Sequence, residues 1–97
     1  MENIRESKYG VLKAWLQLQT DKDRIEISPA ELENKLKTLD EKFSLPKSAY
    51  KYAAWWANEN SEKKWHVQAR KGWLAAGWKA YPEVRNRKVV KVIFRRG

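Results

Sequence analysis

The sequence predicts a small α+β domain with about four helices, one short early strand and a C-terminal β-hairpin. Three observations carry that reading. "WKAYPEV" and "KVVKVIFRR" are strand-like runs on either side of the polar tip "RNRK", where Asn86 suits a positive φ. "SPAELENKLKTL" opens with a helix start signal: Ser28 as N-cap, Pro29 at the first helical position and Glu31 completing a capping box. "RIEIS" alternates, with Ile25 and Ile27 on one face, and reads as a short strand. At 97 residues the chain is long enough for one domain, 1–97, and too short for two.

The elements follow in order. "SKYGVLKAWLQLQ" is the first helix, capped by Ser7. Val11, Leu12, Trp15, Leu16 and Leu18 form its apolar arc. "TDKD" is a polar turn, and the strand "RIEIS" follows. Leu32, Leu36 and Leu39 stripe the second helix, and Phe43 and Leu45 of the next loop are expected to cover the core. "PKSAYKYAAWWANEN" begins as a third helix capped by Ser44 or Ser48, with "AAWWAN" free to leave it as an extended segment. "WHVQARKGWLAAG" is the fourth helix, stopped by Gly77. Pro82 marks the first hairpin strand as an edge strand or a bulge, because proline has no N–H for a ladder.

Charge divides the chain. Residues 1–62 carry 10 Lys/Arg and 11 Asp/Glu, whereas residues 63–97 carry 11 Lys/Arg and a single acid, Glu83. The formal net charge of +9 thus resides in the last third. A solubility charge needs no such segregation, so the asymmetry points to a polyanionic partner. There is no Cys, which excludes disulfides and thiolate metal sites. "MENIRESKYG" lacks the apolar stretch of a signal peptide, and no apolar run approaches a membrane span, so a cytoplasmic protein with no membrane partner is expected.

The basic segment supplies the candidate contacts. At 100° per residue, Ala69, Trp73 and Ala76 fall on one side of the fourth helix, and Gln68, Lys71, Gly72 and Ala75 on the other. Two tiny residues would let the backbone approach a groove, with Gln68 suited to adenine and Lys71 to a phosphate or guanine. An ordinary solvated face fits equally well. In the hairpin, Val90, Val92 and Phe94 are expected on one face of the last strand and Lys91 and Arg95 on the other. Arg85, Arg87 and Lys88 stand at the tip, suited to a phosphate backbone or a minor groove. Lys63 and Lys64 extend the basic set upstream.

Other candidates carry less. Tyr50, Tyr52, Trp55, Trp56 and Trp65 would suit base stacking, but so small a domain needs aromatics inside, with Trp56 and Trp73 foremost. His66 is the only histidine, and a lone histidine more often caps or packs than catalyses. Glu62-Lys63-Lys64 matches only half of a metal-dependent nuclease pattern, and Asp21 and Asp23 lack a metal-loop glycine. Neither a cofactor, a metal nor a small-molecule substrate is called for, and the chain reads as a non-enzyme.

The pieces "SKYGVLKAWL", "LPKSA", "WWAN", the His66–Ala69 pair with "W…GW", and "V.F.R" together resemble an uncharacterised family of small bacterial and phage domains, over Ser7 to Arg95. The resemblance implies a stand-alone microbial domain and carries over no catalytic residue or ligand. Separately, the element order is similar to that of a winged helix, apart from the "LPKSAYKYAAWWANENSEKK" insert, which is far longer than a helix-turn-helix turn. The expected function is nucleic-acid binding, with double-stranded DNA as partner. The competing reading is an inhibitor or adaptor that binds a host nucleic-acid-processing protein.

Overall fold

The computed structural model describes residues 9–58 and 68–96. Helix α1 (Gly10–Gln17) leads to strand β1 (Arg24–Ile27), helix α2 (Pro29–Lys37) and a short helix α3 (Lys47–Lys51). A 3-10 turn (Ala53–Trp56) and a π-helical turn (Ala69–Trp73) precede strands β2 (Trp78–Arg85) and β3 (Lys88–Arg96). The sheet is antiparallel in the order β1-β3-β2, so the early strand pairs with the terminal hairpin. The helices cover one face of it, and the fold is α+β with a C-terminal hairpin.

Local chemistry sets most element ends. Ser28 Oγ accepts from Glu31 N at 3.1 Å and Ser28 N donates back to Glu31 Oε1 at 3.4 Å, closing the capping box on α2. Gly77 has φ 85°, the left-handed conformation that lets the chain leave the π turn and enter β2. Ser7 lies outside the described residues, and Tyr9 occupies the N-cap of α1. At α3 the N-cap is Pro46, not Ser44 or Ser48, because proline's fixed φ already presents an extended entry. Leu39 is 47% exposed, because α2 ends at Lys37 and the stripe stops with Leu32 and Leu36.

The interior is aromatic. Trp56, Trp73 and Trp78 are fully buried. Trp56 and Trp73 stack at 5.4 Å between ring centroids, and Phe94 of β3 meets both rings at 6.1 and 6.2 Å. Trp56 Nε1 donates to Ala49 O at 2.8 Å, so burial leaves that indole satisfied. Leu12 and Leu16 of α1, Leu32 and Leu36 of α2, and Phe43 and Leu45 of the following loop close the core.

Asn58 joins this core to the sheet edge. Its Nδ2 donates to Ala80 O at 2.9 Å, and its Oδ1 accepts from Ala80 N at 2.8 Å and from Trp73 Nε1 at 2.9 Å. One side-chain amide thus supplies the pair of bonds that a neighbouring strand would make. By alternation Pro82 has its backbone on this same outer edge, where its missing N–H costs no ladder bond.

Arg96 ties the end of the sheet where β2 begins, opposite Trp78. Its guanidinium lies 4.5 Å over the Trp78 ring and Nη2 donates to Gln19 O and Lys22 O, both at 2.6 Å. It therefore holds the turn between α1 and β1.

Candidate nucleic-acid interface

The hairpin turns through two residues. Asn86 and Arg87 have φ of 54° and 64°, the two left-handed positions of a type I′ turn, flanked by the directly opposed pair Arg85 and Lys88. Asparagine tolerates that conformation, whereas a long side chain is disfavoured by about 1–2 kcal/mol relative to its right-handed form. Opposed like charges such as Arg85 and Lys88 are also unfavourable. All three cations are exposed, and none takes part in an ion pair among the described residues.

A β-bulge lies just behind the tip. Glu83 pairs with Lys91 but Val84 pairs with Val89, which leaves Val90 without a partner. The extra residue reverses the alternation. Val89, Val92 and Phe94 face the core, and Val90 is 39% exposed, which corrects the expectation that Val90 shares the face of Val92.

On the solvent face, residues of the three strands form rows. Arg24, Arg95 and Lys79 lie side by side across β1, β3 and β2. The next row is Glu26, Ile93 and Tyr81, followed by the pair Lys91 and Glu83. Lys91 Nζ lies 3.0 Å from Glu26 Oε1 and 3.7 Å from Glu83 Oε1. The hydrogen bond to Glu26, ahead of the nearby negative charge, raises the Lys91 pKa. Glu26 is lowered in turn, first by that hydrogen bond and then, against a weaker desolvation, by Arg24 and Lys91. Lys91 was expected as a phosphate contact, but two carboxylates compensate its charge. Arg95 is exposed and, among the described residues, without a carboxylate partner.

The segment before the hairpin departs from an α-helix. Leu74 N donates to Ala69 O at 2.9 Å, an i→i+5 bond, and Gly72 leaves helical geometry at φ −101°, ψ −105°. A wider turn brings residues five apart onto one side. Gln68 thereby joins Trp73 in the interior, where it is 3% exposed and donates Nε2 to Trp55 O at 2.8 Å. The Gln68 amide is thus turned into the interior, which corrects its expected place on the outer face. Gly72 is buried too. An added Cβ would lie 3.2 Å from Leu12 Cδ2, so its small size serves helix packing and not the approach of a ligand. Lys71 and Ala75 remain exposed. Arg70 is half-buried, and its Nε is buried without a hydrogen-bond partner among the described residues.

The structure therefore leaves Arg85, Arg87, Lys88, Lys71 and Arg95 exposed, buries Gln68, and pairs Lys91 with Glu26 and Glu83. Lys63 and Lys64 lie outside the described residues, as do Glu62, Trp65 and His66. Sequence reasoning overlooked Arg24, Lys79 and Tyr81. Alternation in "RIEI" and "WKAYPEV" is the signal that puts them on the outward face.

Among the described residues no three His, Asp or Glu side chains gather as a metal site, and no helix is long and apolar enough to cross a membrane. A family model described as Domain of unknown function (DUF7662) matches residues 9–96, and the chain belongs to that family. Comparison with curated proteins and with solved structures gives no match.

Proposed function

We propose that this DUF7662 domain binds nucleic acid, with double-stranded DNA as its ligand and the hairpin tip as its principal grip. The observation that carries the reading is the tip itself. Three exposed cations crowd a two-residue turn: Arg87 lies in it with a left-handed backbone, and Arg85 and Lys88 oppose each other on either side. Each of those choices works against the hairpin's own stability, and a local conflict of that kind is expected where a surface serves a ligand. Phosphates would neutralise the like-charge part of that conflict, the opposition of Arg85 and Lys88. Each contact would also release condensed counterions from the duplex.

The element order supports comparison with a winged helix, in which the hairpin would be the wing. The helix before it would differ, since its π turn sends Gln68 inward. Base readout by that helix forms no part of the reading, and Lys71 serves as a phosphate contact.

The test is a side-by-side titration of the purified domain with duplex DNA, single-stranded DNA and duplex RNA of equal length. Tightest binding to duplex DNA, weakening steeply with salt, is the expected result. No binding to any of them at low salt, together with nuclease-insensitive retention of a host protein, would replace this reading with a protein partner.

A further inference from the structure

We propose that the solvent face of the sheet is a separate site for an unpaired nucleotide of a single-stranded segment. The base would lie on Tyr81 and Ile93, and its flanking phosphates on Arg95 and Lys79. The inference rests on the nucleic-acid reading but concerns a different surface from the tip. Lys88 and Arg95 are seven residues apart on β3, about 20 Å along a strand.

Four observations meet there. Tyr81 is 45% exposed although it stands in the middle of a strand, and nothing in the core requires its ring. Ile93 is directly opposite and half-buried, so the two form a small apolar floor. A shallow cleft of about 330 Å³ is lined by Arg24, Tyr81, Ile93 and Arg95, within the size range of small-ligand sites, roughly 300–1,000 Å³. One row away, two residues or about 7 Å along the strands, lie Arg24, Arg95 and Lys79. Arg24 is held by Glu26, which leaves Arg95 and Lys79 as the cations open to phosphate.

The chemistry favours one occupant. An aromatic ring beside free cations is the arrangement by which single strands are held, with the base on the ring and the backbone on the charges. Paired bases cannot use it, because their faces are already stacked. An acidic peptide would use the cations but not the ring. The site would therefore respond to the presence of a base, not to phosphate alone.

The experiment compares a thymidine oligomer with an abasic oligomer of equal length and equal charge, by fluorescence anisotropy. The parent should bind the thymidine oligomer about tenfold tighter, within the range of one base stack. Tyr81→Ala should bring the two affinities together by weakening only the thymidine oligomer, and Tyr81→Phe should preserve the ratio. Duplex affinity should be unchanged in both variants, since duplex binding is assigned to the tip. Equal affinities in the parent, or a ratio that survives Tyr81→Ala, would overturn the site without touching the duplex reading. Photocrosslinking of an iodouracil-substituted oligomer to the parent gives an independent check if Tyr81→Ala fails to fold. Attachment within the tryptic peptides Ala80–Arg85 or Val92–Arg95, which carry Tyr81 and Ile93, supports the site, and attachment only elsewhere overturns it.

Discussion

Asn58 makes three hydrogen bonds with one side chain at the edge of the aromatic core. The Arg87 side chain, in the turn between β2 and β3, makes none among the described residues, and its backbone is left-handed. Around Asn58 most polar atoms are bonded internally: Trp56 and Trp73 are buried with their indole N–H groups bonded and Gln68 reaches Trp55 O, whereas Trp78 Nε1 is buried without a partner among the described residues. Around Arg87 it leaves three cations exposed and two of them opposed. The contrast teaches where this domain is arranged for folding and where it is arranged against it. A region that lowers its own stability is the better place to look for a ligand.

The largest loss of stability is expected in the core. Trp73→Ala empties a fully buried aromatic site and should cost about 3–5 kcal/mol, read as a shift in the urea midpoint. An unchanged midpoint would mean that Trp73 does not hold the domain together.

Asn58→Ala should come next. It leaves Trp73 Nε1 and both backbone groups of Ala80 without their partner, and about 1–3 kcal/mol is expected for a polar group left unsatisfied in a buried setting. Asn58→Asp keeps the acceptor for Trp73 and Ala80 N but sets a second carboxylate oxygen against Ala80 O, so it too should be less stable than the parent. Equal stability of parent and Asn58→Ala would show that water replaces the amide at no cost.

Arg87→Gly should have two effects of opposite sign. Removing a side chain from a left-handed position should stabilise the hairpin by about 1 kcal/mol, while duplex binding weakens. A variant that is both less stable and equally tight would refute the idea that the tip trades stability for charge.

The smallest effect belongs to pH. Tyr50 donates its hydroxyl to Glu33, and burial, followed by that hydrogen bond and the Glu33 charge, pushes its pKa up to about 12. Folding favours the neutral phenol, so its contribution is complete below about pH 10 and is lost as pH rises toward 12. The stability difference between parent and Tyr50→Phe should therefore diminish over that window in alkaline unfolding curves. A difference that stays constant from pH 9 to 12 would contradict the shift.

What the sequence made legible was local chemistry. The capping box at Ser28, the stop at Gly77, the turn at Asn86 and the edge position of Pro82 each depend on a few adjacent residues, and each appears in the structure. Features that depend on distant partners were hidden. The π turn accompanies the packing of Gly72 against Leu12, sixty residues earlier, and it moved Gln68 from the predicted outer face into the core. The bulge at Val90 depends on β2 pairing, and it moved Val90 outward. Lys91 was legible as a cation but not as the partner of Glu26, because only the β1–β3 register brings them together. The basic tip survived because a two-residue turn leaves its side chains nowhere to go but solvent.

Whether that tip grips phosphate is decided by the salt dependence of duplex binding. Arg85, Arg87 and Lys88 would each contact about one phosphate, and each contact contributes roughly −0.9 to the slope of log affinity against log salt. Anisotropy titrations of one duplex at several salt concentrations should be run on the parent and on the triple variant Arg85→Gln, Arg87→Gln, Lys88→Gln. The slope should be flatter by about 2–3 in the triple variant, with weaker binding at low salt and a melting temperature no lower than the parent's. Identical slopes in two equally folded proteins would contradict a phosphate grip at the tip.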